Sequence, residues 1–411
     1  MRMSLDIGVR IFAGMVCCTL LAPMSFADTI ATPSARLPEM VHSTWHRGPD
    51  LPMGFQESAG GIVDGALITS TGFSRGYLDD VVPGKKNKSP REKHLKETWG
   101  LKLADSGAGW TALPDFPGTG RTAAFGIAVD QKLYLWGGCE WNNPYTFKDG
   151  YRLSRVNDQW QWDKLPDLPL PMGSSGIAAI GSKIYVMGGS QYFLRGGGTY
   201  LTNLIENGSP FGSHLMVFDT ADSNPAWKAL PPCPGTPRCV QAMAAVGGKI
   251  YVLGGAAGEN NPSGVTCTVV DNWQFDPQTS QWRRLPDLPV ASGSFPSGRI
   301  AFHDRYILLI GGYQYSAILD PDGKTRPPYG TPSKNDPQKD YFSDIFVYDT
   351  QTQKFGTATP LPMNIHLPMS VVEGNQLHLI GGETDGFTLD GEQYGHNPDL
   401  YLIGELKASA K

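Results

Sequence analysis

An eight-residue phrase recurs along the chain: WHRGPDLP from Trp45, WTALPDFP from Trp110, WDKLPDLP from Trp162, WKALPPCP from Trp227, WRRLPDLP from Trp282, and an eroded FGTATPLP from Phe355. Self-similarity at a roughly fixed period marks a repeat architecture in which each unit buries its apolar face against the next. The phrase therefore limits the fold before any single strand is assigned.

A second element precedes five of the copies. LYLWGG ends at Gly138, IYVMGG at Gly189, YVLGG at Gly255, ILLIGG at Gly312 and LHLIGG at Gly382, and ALITSTG at Gly72 is the degenerate first copy. Each reads as a short apolar strand entered through a tight turn such as Asp64-Gly65, Asp130-Gln131 or Gly247-Gly248, which joins it to a strand of small residues. MVFDT, NWQFDP and IFVYDT supply a third strand, and the tryptophan phrase is the fourth. The 50 Gly and 33 Pro in 411 residues suit many short strands and turns. The chain opens on a fourth-strand copy at Trp45 and ends on DLYLIGEL, which reads as a third strand. The N-terminal strand is therefore expected to complete the last unit and cover its edge.

Residues 1–27 differ from the rest. Arg2 and Arg10 precede an apolar run from Ile11 to Ala22, and Ser25-Phe26-Ala27 offers the small residues of a cleavage site, so a secretory signal and an exported protein, periplasmic or secreted, are expected. The apolar run is too short to span a bilayer. Cys17 and Cys18 leave with the signal, and Cys139, Cys233, Cys239 and Cys267 remain. Cys233 and Cys239 flank Pro234-Gly235-Thr236-Pro237, a turn short enough to bring them into bridging range, and are the disulfide candidates. The net charge of -5, without long runs of one sign, excludes nucleic acid and anionic membrane surfaces as partners. No His and Cys stand at metal-ligand spacing, and no metal or cofactor is expected.

Taken together, the Gly doublet, the third-strand aromatic and the fourth-strand Trp resemble the kelch repeat, over essentially the whole mature chain. The resemblance implies an all-β, six-bladed β-propeller, residues 28–411, closed by its N-terminal strand. In such a ring the tight turns lie on one face and the long loops on the other: 73–97, 139–150, 190–213, 256–271, 313–342 and 383–399. Long loops converging on one axis are where function is expected. Their Tyr, Trp, Asn, Gln and Gly suit a sugar, whose C–H faces stack on rings while its hydroxyls meet amides. Protein surfaces use similar residues, so a glycan- or protein-binding module without catalysis is the alternative.

Within exported kelch propellers the chain is similar to the N-acetylneuraminate epimerases, through FPGTGRTAAFGIAVDQKLYLWGG from Phe116 to Gly138, the long inserts after Gly189 and Gly312, and LHLIGGETDG from Leu377 to Gly386. That resemblance implies mutarotation of a sugar without a cofactor. It also implies a catalytic Glu directly after the fourth-blade Gly pair, with an Arg a few residues on. Here the position is Ala256, and no Arg lies between Ala256 and Asp271. Glu383, the one carboxylate directly after a Gly pair, and Glu259, three residues beyond Ala256, are the candidate acid/base groups. Arg121 and Arg238, at first-strand entries, are the candidate anchors for an anionic sugar. Glu140, Tyr313 and His366 complete the candidate binding set. A copper radical oxidase does not fit, because that kelch class needs a seventh blade and Tyr and His ligands without counterparts here.

Overall fold

The computed structural model describes residues 37–75, 93–140, 145–258, 266–327 and 340–409, apart from short gaps at 196–197, 203–204, 207–208, 294 and 316. The expected leader at residues 1–27 and the candidate Glu259 lie outside the described residues.

The fold is all-β, and its main strands pair into antiparallel units of four. The innermost strands of successive units are Ala59–Val63, Phe125–Val129, Gly176–Ile180, Ala242–Val246, Ala301–Phe302 and Met369–Glu373. In the unit that begins at Met369–Glu373 the order runs through Gln376–Ile380 and Tyr401–Ala408 to Glu39–Arg47. Seven consecutive pairs, from Val41↔Ala408 to Arg47↔Leu402, hold that N-terminal strand antiparallel to the C-terminal one. Its other edge pairs in parallel with Lys354–Ala358 of the preceding unit, through Glu39↔Thr357 and Val41↔Ala358. Residues of the second strands, such as Ile68, Leu133, Ile184, Ile250, Leu308 and Leu377, are fully buried. They stand in the middle of each sheet between sheets packed on both faces, which is why these strands read as unbroken apolar runs.

The recurring phrase proves to be a chain of hooks. Four of the tryptophan rings, each half-buried on the outer part of its unit, send the indole N–H to the unit before. Trp110 Nε1 donates to the Pro49 carbonyl at 2.9 Å, Trp162 to Pro114 at 2.9 Å, Trp282 to Pro231 at 2.8 Å and Trp45 to Pro360 at 2.9 Å. In the first three pairs donor and acceptor are the first and fifth residues of neighbouring copies, and in the last the acceptor, Pro360, is the sixth residue of the eroded copy. Proline suits the acceptor position because that residue needs no N–H of its own. In the two remaining copies another side chain takes the carbonyl. Trp136, packed 5.0 Å from Trp227, donates to Pro166 at 3.1 Å, and Asn272 Nδ2 donates to Pro286 at 2.7 Å. The latter substitution follows from Phe355, which has a ring but no N–H.

Two expectations are corrected. The unit that begins at Ala301 has a two-residue first strand, because Phe295–Ile300 leans onto its neighbour: the N–H of Phe295 bonds Val240 at 3.3 Å and that of Gly298 bonds Met243 at 2.9 Å. Pro296 and the left-handed Gly298, with φ +104°, keep this segment out of a ladder. The second correction concerns Cys233 and Cys239, which are separate buried thiols and not a bridged pair. Cys233 packs among Tyr185, Met187 and Met243, whereas Cys239 Sγ points to the Ala256 carbonyl at 3.7 Å. Burial pushes the two thiols up to about 11 and about 12. The Pro-Gly turn between them serves a different purpose, the seating of Arg238 described below.

Candidate functional site

Every residue that follows the end of a second strand bridges back to the entry of a first strand: Phe73 to Gln56, Cys139 to Thr122, Ser190 to Gly173, Ala256 to Cys239, Tyr313 to Gly293 and Glu383 to His366. These six positions are structurally equivalent. The Gly doublets make the bridges possible because both glycines are left-handed, as at Gly381 and Gly382 with φ of +59° and +109°. A Cβ on Gly381 would also lie 2.4 Å from the Phe55 carbonyl. One residue beyond five of these entries the chain turns left-handed, at Glu57, Ala123, Ser174, Val240 and Leu367. Backbone bonds pass along these turns: the N–H of Glu57 meets the Leu367 carbonyl at 3.2 Å, Ser174 meets Ala123 at 2.9 Å and Val240 meets Ser174 at 2.9 Å. Together they frame a cavity of about 100 Å³, walled by residues from all of the first-strand entries.

Beside this frame the sequence-predicted Glu383 is the hub of a polar cluster. Its side chain is only 3% exposed. Its Oε1 lies 2.5 Å from His396 Nε2, accepts from Tyr341 Oη at 3.2 Å and from Arg75 Nη2 at 3.2 Å. Its Oε2 accepts from Gln56 Nε2 at 3.1 Å and lies 2.7 Å from His366 Nε2. Asn397 Nδ2 donates to Gln56 Oε1 at 2.8 Å, which fixes that amide with its NH₂ toward the carboxylate. Asn397 Oδ1 accepts from the Arg75 backbone N–H at 3.0 Å and so seats the arginine. The His366 ring lies edge-on to Tyr313 at 4.7 Å and tilted against Tyr341 at 4.5 Å. A buried carboxylate needs this density of donors to offset its lost hydration. The result is an array of two imidazoles, a phenol and a guanidinium at fixed positions around one anion. Arg75, with 37% of its side chain exposed, is its outward-facing member.

Glu383, His366 and Tyr313 therefore come together, as the sequence reading places them on one rim. The other candidates do not join them. Arg121 is fully buried, donates to Asp149 Oδ1 at 2.7 Å, Asp149 Oδ2 at 3.1 Å, Gly137 O at 3.0 Å and Thr119 O at 2.9 Å, and lies over the Phe147 ring at 4.0 Å. Arg238 repeats the arrangement with Asp271 Oδ2 at 2.5 Å, Asp271 O at 2.5 Å, Gly254 O at 3.1 Å and Thr236 O at 2.8 Å. Each guanidinium ties a first-strand entry to the first Gly of a doublet and to the Asp that leads into a third strand. Their role as sugar anchors is corrected to a structural one, since four of five donors are spent and neither side chain reaches solvent. Glu140 sits half-buried on a small hairpin, where its backbone pairs with Tyr145, and has no contact with Glu383 among the described residues.

Ala256 is fully buried under a four-stranded loop sheet built from Ala256–Ala257, Cys267–Val269, Ile318–Leu319 and Thr325–Arg326. Long inserts of two successive units thus cover that position and leave the polar cluster on the Glu383 side. Among the described residues no group of three or more His, Cys, Asp or Glu has the arrangement of a metal site.

Sequence reasoning missed Gln56, Arg75, Tyr341, His396 and Asn397. Four of them lie in the long loops or directly beside a Gly-doublet strand, and the available signal was a cluster of titratable residues in loops on one side of the ring, including GFSR near Gly72 and YGHNPD before Leu400.

Comparison with known proteins agrees with this architecture. Residues 110–312 match the model of the KLHDC2/KLHL20/DRC7 Kelch-repeats domain. The chain is 26% identical over 368 residues to the N-acetylneuraminate epimerase of Haemophilus influenzae (strain 86-028NP), covering 82% of this chain and 88% of the relative. It is 23% identical over 371 residues to that of Pasteurella multocida (strain Pm70), with the same coverage. Among solved structures YjhT superposes with a TM-score of 0.57 at 18% identity, over 84% of this chain and 95% of the other. The chain accordingly carries kelch repeats over residues 110–312 and resembles the N-acetylneuraminate epimerases.

Proposed function

We propose that this is an exported, six-bladed propeller, closed by its N-terminal strand, that binds a free acidic sugar at the Glu383 cluster and exchanges its anomers. The observation that carries the reading is the convergence of Arg75, Tyr341, His366 and His396 on one buried carboxylate directly after a Gly doublet, on the face of the long loops. Mutarotation of a cyclic sugar needs one group to protonate the ring oxygen and another to take the anomeric proton, so that the ring opens and recloses. An imidazole paired with Glu383 is suited to the first task, because histidine exchanges protons near neutral pH and the carboxylate fixes its orientation. Arg75 is the cation placed to meet a sugar carboxylate, in the role that sequence reasoning gave to Arg121 and Arg238. The similarity to N-acetylneuraminate epimerases supports an acidic sugar over a neutral one.

The same observation favours a second reading, in which the fully coordinated Glu383 only rigidifies a binding surface and the protein holds a glycan without converting it. Saturation-transfer NMR with N-acetylneuraminate and with neutral hexoses tests the sugar binding that both readings require. The acidic sugar is expected to show transfer that Arg75→Met weakens at least tenfold, in the range expected for loss of a charge-assisted pair. Equal signals from neutral hexoses, or an unchanged affinity in Arg75→Met, would contradict the anchor.

A further inference from the structure

The cavity framed by the left-handed turns holds a second acid, Glu57. Of the residues that wall it, Glu57 alone is charged. The equivalent turns carry Ala123, Ser174, Val240 and Leu367, so the backbone geometry is architectural while the carboxylate is peculiar to this position. Glu57 is half-buried, accepts a hydrogen bond from Thr122 Oγ1, and follows directly on Gln56, whose amide donates to Glu383. Its backbone N–H bonds Leu367, the residue after His366. The same cavity wall contains Gln241 and Ser370, where Gln241 Oε1 and Ser370 Oγ are buried without a hydrogen-bond partner among the described residues. Gln241 spends its NH₂ on the Met187 carbonyl at 2.7 Å, which leaves the amide oxygen as an open acceptor. Unsatisfied buried oxygens at the wall of a small cavity of mixed lining mark a place where hydroxyl groups dock.

We infer that Glu57 is the second catalytic carboxylate, the group that takes the anomeric proton, and that the axial cavity is the subsite for the hydroxylated end of the sugar. This rests on the sugar-mutarotase reading above. The step balances without a redox partner. Glu57 accepts the proton of the anomeric O–H and the C=O bond forms. The ring C–O bond breaks with its electron pair on the ring oxygen, and that oxygen takes a proton from the imidazole held by Glu383. Rotation about the opened carbon and the reverse transfers give the other anomer, and both groups return to their starting states.

The test compares anomer exchange of freshly dissolved N-acetylneuraminate, followed by NMR, in wild type, Glu57→Gln and Glu57→Gly. Glycine suits the left-handed backbone, with φ +55°, and leaves room for formate. Expected are a 10²- to 10⁴-fold loss of kcat in both variants with KM within a few-fold of wild type, and recovery of at least tenfold in Glu57→Gly on adding formate. Unaltered kcat in Glu57→Gln, or a loss in folded Glu57→Gly that formate does not restore, would overturn the assignment of Glu57. Absence of exchange by wild type would instead overturn the mutarotase reading itself. Melting temperatures of the variants separate either result from unfolding.

Discussion

Deleting residues 37–47 is expected to lower stability by more than about 5 kcal/mol, beyond the reach of ordinary point substitutions. The segment supplies the outer strand to the C-terminal strand along seven residue pairs and joins the Lys354–Ala358 strand on its other edge. Its removal leaves two strand edges unpaired, deletes the fully buried Val41 and breaks the Trp45 hook to Pro360. Exposed edges also recruit other chains, so the truncated protein should aggregate as it unfolds. Urea unfolding monitored by tryptophan fluorescence measures the loss. A truncated chain as stable as the full one would show that the ring does not depend on its N-terminal strand.

Asp271→Ala is expected to cost about 3–5 kcal/mol, the range for stripping a buried charge of its partner. Arg238 has no exposed surface, and its Nη2 depends on the Asp271 carboxylate. The same carboxylate accepts from Trp273 Nε1 at 2.6 Å and the Thr236 backbone N–H at 3.2 Å. Burial alone would raise Asp271, but the Arg238 charge and these donors hold it below the usual carboxylate range. A depressed folded-state value means that the pair stabilises above the unfolded value of about 4 and that this contribution is lost as pH falls below it. The difference between wild type and Asp271→Ala should therefore shrink on acidification. A difference below about 1 kcal/mol at neutral pH would place Arg238 in contact with solvent, where it could serve a ligand.

The fold was more legible than the site. Period, Gly doublets and the Trp–Pro phrase are local signals, and each answers a local demand: a left-handed pair at a bridge, an N–H for a neighbour's carbonyl. What the phrase did not reveal was its reciprocity, since the donor in one copy and the acceptor in another lie 48 to 61 residues apart within the chain and 315 apart across its ends. Glu383 was found because it breaks a pattern, the one acid in a ring of equivalent positions. Arg121 and Arg238 were misread for the converse reason: charge at a strand entry looks the same in sequence whether it faces a funnel or a buried aspartate. Asp149 and Asp271, which settle the matter, stand 28 and 33 residues away. Arg75, Tyr341 and His396 come from three loops with no common spacing, so only the assembled fold brings them together. The two cysteines show the limit of spacing as evidence, for a turn short enough to bridge them was shaped to seat Arg238.

The most direct test of the central claim is anomer exchange of freshly dissolved N-acetylneuraminate by wild type and by Glu383→Gln, followed by NMR at neutral pH. Glutamine keeps the shape of the side chain but replaces an acceptor oxygen with a donor facing the imidazoles. The account predicts acceleration by wild type, a kcat lower by about 10² to 10⁴ in the folded variant, and sugar affinity retained within a few-fold. Acceleration that survives Glu383→Gln undiminished would contradict it.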